Sequence, residues 1–168
     1  MSNADKWFEL AVTDRKGTFR GMEIGMPLRD ALALESGELS RAKGSVLLRS
    51  KPHEMASSEV EIGFARSKGL DRVVSVRFRL EAESGLAEVE SAFELVCQHF
   101  GRLFGPPAPA PAPAAARAGR AARRLWLVQG RELPTQLQVA FENAVTEEMV
   151  RKASLSVVME RATVESRG

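Results

Sequence analysis

Leu86-Ala87-Glu88-Val89-Glu90-Ser91-Ala92-Phe93-Glu94-Leu95-Val96-Cys97-Gln98-His99-Phe100-Gly101-Arg102-Leu103-Phe104 is the stretch on which the fold turns. Leu86, Val89, Phe93, Val96, Phe100 and Leu103 recur at spacings of 3, 4, 3, 4 and 3, which is the period of a helix carrying one apolar stripe. Ser84 precedes the stripe as an N-cap residue, and Glu88 and Glu90 lie near the positive end of the helix dipole. Arg102 lies near the negative end, and Gly105-Pro106-Pro107 stops the helix. The spacing predicts one helix over about 85–104. Its stripe is too short to sustain a coiled coil alone, so it needs an apolar sheet face to cover it.

The segments on either side supply such a face. Val74, Val76, Phe78 and Leu80 alternate with Ser75, Arg77 and Arg79, apolar to one side and basic or polar to the other. Val60, Ile62 and Phe64 alternate in the same way, and residues 45–49 form a short apolar run. Lys68-Gly69 suits the turn between two of these strands. Beyond the helix, residues 125–128, then Leu137, Val139 and Phe141, then Leu155, Val157 and Met159 carry strand patterns. Nearer the start, Phe8, Leu10 and Val12 alternate, which predicts a strand over 7–13 followed by a turn at 14–17. Pro27 suits the first position of a short helix near 27–34.

These elements predict an α+β fold: a mainly antiparallel sheet with the long helix packed on one face, plus the short helix. A single domain over 5–162 is expected. It is interrupted at about 105–122 by a linker rich in Pro, Ala and Arg, whose alternating prolines favour extended, exposed chain. A separate all-β unit after the linker would be marginal without a disulfide or a metal. The size agrees, since 168 residues with 44% apolar and 27% charged content suffice to build one core.

Composition narrows function. Tyr is absent, and eight Phe and two Trp, mostly at core-like positions, leave few rings on which single-stranded nucleic acid would stack. One cysteine, Cys97, forms no internal disulfide, and His99 two residues on points to a different helix face. There is no N-terminal apolar run of signal-peptide type and no stretch of about 18 apolar residues, so a cytoplasmic chain without a membrane span is expected. With two histidines, His53 and His99, in unrelated settings, no metal site is expected, and no cofactor. Gly21 to Gly25 lacks the Lys-Ser/Thr ending and the third glycine of a phosphate loop, and reads as turn geometry. Ser57-Ser58 near His53-Glu54 is a polar loop cluster rather than a triad, and Glu147-Glu148 is a solvated helix start.

Charge is the least ordinary feature. Between Glu94 and Glu132 there is no acidic residue, while Arg102, Arg117, Arg120, Arg123, Arg124 and Arg131 fall there. Taking those six from 24 Lys and Arg leaves 18 against 22 Asp and Glu, so the rest of the chain is mildly acidic. Were residues 114–124 helical, Arg117, Arg120 and Arg124 would form a cationic ridge beside Arg123. Arg117, Arg120, Arg123 and Arg124 are therefore the candidate partner-binding residues, and the expected partner is a protein with an acidic surface rather than nucleic acid. The function expected first is a non-catalytic protein-binding module, of the bacterial immunity or secretion-accessory kind. The alternative is an enzyme, a hydrolase or transferase, with a site assembled across the fold near His53.

Overall fold

The computed structural model describes residues 2–13, 19–53, 56–82, 86–108, 121–129, 134–145 and 151–162, without the side chains of residues 53, 86, 129, 143–145 and 151. The elements in chain order are α1 (Asn3–Val12), α2 (Leu28–Ala33), β1 (Glu38–Ala42), β2 (Ser45–His53), β3 (Ala56–Ser67), β4 (Leu70–Ala82), α3 (Leu86–Phe104), β5 (Ala121–Gln129), β6 (Pro134–Val145) and β7 (Arg151–Arg161). The seven strands form one sheet in the order β1-β2-β3-β4-β7-β6-β5, and every neighbouring pair is antiparallel. The α+β architecture with a long helix across the sheet is thus present.

The period-2 patterns become the buried side of the sheet. Val46 and Leu48, Val60 and Ile62, Val76, Phe78 and Leu80, Leu155, Val157 and Met159, Leu137, Val139 and Phe141, and Trp126 and Val128 all face the helices and are buried. From α3 come Val89, Ala92, Phe93, Val96 and Phe100. Phe93 meets Phe141 with ring centroids 4.9 Å apart, and Phe100 meets Trp126 at 5.9 Å and Phe19 at 6.3 Å. The stripe does not end where the spacing predicts. Leu103 is 57% exposed, and Phe104 stacks on Phe100 instead, at 6.1 Å. A straight helix turns 3.6 residues at a time, so the buried row drifts from Phe100 to Phe104. Gly105 (φ +87°) ends the helix, its amide donating to the Gly101 carbonyl, and its own carbonyl accepts the Trp126 indole N–H at 2.9 Å.

The expected first strand is a helix. Ser2 and Asp5 form a capping box at the start of α1. Trp7 and Ala11, and Phe8 and Val12, then fall four apart on the side that meets α3, where His99 sits edge-on to both Phe8 and Phe100. Helical spacing competes with the period-2 reading of Phe8, Leu10 and Val12, and packing on α3 decides for the helix. The turn expected at 14–17 lies outside the described residues. Arg20 (φ +56°) follows, buried under α1. Its guanidinium donates to the Leu10 and Ala11 carbonyls at the helix end, pairs with Glu35 at 2.7 and 2.8 Å, and lies 5.1 Å over the Phe78 ring.

Other boundaries shift. β1 had no apolar alternation to announce it; it is the fully exposed edge strand of a hairpin with β2. Lys68 (φ +52°) and Gly69 (φ +80°) do make the β3–β4 turn, both in the left-handed conformation that favours Asn and Gly. His53 belongs to the end of β2, where it pairs with Ala56, and not to a loop. β5 begins at Ala121, so the last two residues assigned to the linker are strand. At the other end of that linker the Ala108 amide donates to the Leu125 carbonyl at 2.7 Å, along the free edge of β5. Residues 109–120 lie outside the described residues, as do 130–133 and 146–150, where a turn and a polar hairpin or helical turn were expected. No helix among the described residues is long and apolar enough to cross a membrane.

Candidate functional site

Among the described residues, all three helices lie on one side of the sheet and none covers the other. Successive strand residues point to opposite sides, so the polar partners of each core pattern line this open face. Strand register sets them in rows across the sheet. One row runs Glu38, Arg49, Glu59, Arg79, Ser156, Ala140, Arg123, from β1 to β5. Charge alternates over its first four strands, two small side chains follow, and an arginine closes it. The next row holds Ser40, Leu47, Glu61, Arg77, Val158, Gln138 and Leu125.

Small side chains on adjacent strands leave a dip. Ser154 and Ser156 of β7 and Ala140 of β6 floor a depression of about 240 Å³, and Arg77 and Arg79 of β4 border it on one side, with Arg123 of β5 on the other. Glu142 and Gln138 complete its polar lining. β4 and β5 are three strand spacings apart, about 14 Å, so the arginines stand at opposite margins of the dip. Arg79 is engaged with Glu81 at 2.8 Å. The Arg123 Nε is buried without a hydrogen-bond partner. A second depression of about 190 Å³ lies on the other side of Arg79, lined by Arg49, Ser50, Ser57, Ser58, Glu59 and Glu81 as well. Chemically, the larger one offers guanidinium forks and two serine hydroxyls, a setting for a carboxylate or another planar anion.

The arginines expected to act together are divided. Arg117 and Arg120 lie outside the described residues. Arg123 and Arg124 are consecutive in β5 and face opposite sides, so the helical ridge proposed through Arg124 does not form. Arg124 points to the helix side, with its guanidinium 5.7 Å over the Phe93 ring and an N–H donated to the Arg123 carbonyl at 3.1 Å. It covers the end of the core, and of the two described arginines Arg123 is the one on the open face. Arg77 and Arg79 were visible as the basic side of a strand, but nothing local in the sequence links them to Arg123.

The remaining candidates have structural settings. Cys97 is half-buried on α3, and burial, helped by the charge of Glu94 and opposed by Arg124, pushes its thiol up to about 12. Ser58 is buried and Ser57 exposed, and both border the second depression beside Glu59 and Glu81. Among the described residues no three His, Cys, Asp or Glu side chains group as metal ligands. Comparison with protein-family models, with curated proteins and with solved structures finds no match for this chain.

Proposed function

We propose that this chain is a non-catalytic protein-binding module that receives an acidic partner surface on the open face of its sheet. The observation that carries the proposal is the face itself: helices cover one side of a seven-stranded sheet, and the other presents ordered rows of charge around a basic depression. Six strand spacings by about eight paired residues give roughly 29 by 27 Å, on the order of 800 Å², the share each partner buries in a standard protein interface. The strands that form it are held by a core on the far side, so the face is rigid before a partner arrives. Immunity proteins and secretion-accessory proteins, which act by covering another protein, are the roles such a module suits.

The experiment is capture of the partner from the native host, followed by titration of the purified partner against a Ser156→Trp variant. Ser156 lies at the centre of the face, and an indole there blocks close approach without entering the core. Loss of binding with an unchanged melting temperature is the expected result. Binding at the parent's affinity would place the partner elsewhere and overturn the proposal.

A further inference from the structure

We infer that the depression between Arg77, Arg79 and Arg123 is an anchor for a single carboxylate side chain, presented by a segment of the partner that is acidic and apolar by turns. The inference rests on the open face being the docking surface and names what that surface grips.

Three observations carry it. The first is the buried Nε of Arg123, a donor removed from water and left without an acceptor. Such a group is relieved by an incoming acceptor, most of all an anionic one. The second is size. A depression of about 240 Å³ falls below the roughly 300–1,000 Å³ of small-molecule sites, and suits one side chain rather than a whole metabolite. The third is the surroundings. Arg77 shares its row with Val158 and Leu125, and Leu127 on the same side of β5 is 64% exposed, so apolar surface adjoins the basic dip. A carboxylate flanked by apolar side chains matches both. A polyphosphate chain does not, because Glu142 lines the dip and Glu81 stands in the same row across Ser154, so an evenly charged strand would cross one of them.

The probe is a blocked pentapeptide with one glutamate between two leucines, titrated into the isotopically labelled chain at low salt. Its glutamine counterpart and an oligothymidylate of similar length are titrated alongside. The expected result is a set of NMR shifts at the Arg123 side chain and at the amides of residues 138–142 and 154–158. The glutamine peptide should bind about tenfold more weakly, since it lacks the charge that strengthens a guanidinium contact. Arg77→Gln and Arg123→Gln should each weaken the glutamate peptide several-fold, Arg123→Lys should fall between, and Glu142→Gln should tighten it. Binding should fade as salt rises. Equal affinity for the two peptides, shifts that map away from the depression, or tighter oligothymidylate binding through the same arginines would overturn the inference. Failure of the anchor is distinguishable from failure of the docking face. If the captured partner is lost by Ser156→Trp but kept by the Arg77→Gln/Arg123→Gln double variant, the face stands and the anchor falls.

Discussion

At the scale of single residues, Arg20 shows how much one side chain holds. It closes the end of α1, pairs with Glu35 and lies over Phe78, all while 6% exposed. Replacing one member of a buried ion pair strands the other charge, at a cost of about 3–5 kcal/mol. Arg20→Met is therefore expected to lower the urea midpoint sharply. Arg20→Met with Glu35→Leu should recover much of the loss, because no charge is then left unpaired. A double variant no more stable than the single one would show that the helix-end contacts, not the charge, dominate. Cys97 makes a different prediction. Burial raises the folded thiol from its ordinary 9.0 to about 12, so the folded state holds its proton more tightly than the unfolded state does. The resulting contribution to stability is complete below pH 9 and is lost as pH rises towards about 12. Denaturant unfolding across that window should show a steeper loss for the parent than for Cys97→Ala. Below pH 9 the folded thiol should also resist alkylation, which needs the thiolate.

At the scale of elements, α3, β3, β4, β6 and β7 were legible because each is long enough for its period to be unambiguous. α1 was not. Phe8, Leu10 and Val12 satisfy a strand, Trp7, Phe8, Ala11 and Val12 satisfy a helix, and in ten residues apolar spacing alone does not separate the two. The Ser2–Asp5 capping box was the signal that favoured the helix. β1 carried no pattern at all, since an edge strand exposed on both sides needs none. The end of α3 offers a direct test of where its stripe runs. Phe100, 1% exposed among Phe19, Phe104 and Trp126, should cost about 3–5 kcal/mol as Ala. Leu103→Ala, on the exposed side, should change stability by no more than about 0.5 kcal/mol. Equal losses in thermal or urea melts would return Leu103 to the core.

At the scale of the whole molecule, strand order brings the open-face arginines together. β5, β6 and β7 fold back so that β7 pairs with β4, and only then does Arg123 share a row with Arg79. Register between distant segments leaves no trace in composition or local spacing, which is why Arg123 was singled out from the sequence and its companions were not. The same topology bounds the connection from α3 to β5. Ala108 sits beside Leu125, so the chain has only to return four residues along β5, about 14 Å, to reach Ala121. Six Gly/Ser residues in place of 109–120 span about 20 Å and suffice. Halving the loop should alter stability by about 0.6 kcal/mol, so the melting temperature should stay close to the parent's. A collapse of the fold would show that residues 109–120 are packed.

The Ala108 bridge bears on how the molecule behaves in a crowded solution. A sheet without closure has two margins, each a template on which a neighbouring chain can lay down another strand. At one margin β1 is five residues long and carries Glu38 and Arg41. At the other, the amide that reaches Leu125 comes from a stretch whose preceding residues, Pro106 and Pro107, have no N–H to donate. A strand seeking to extend the ladder meets charge and brevity on one side and proline on the other. Growth by edge pairing is blunted at both ends.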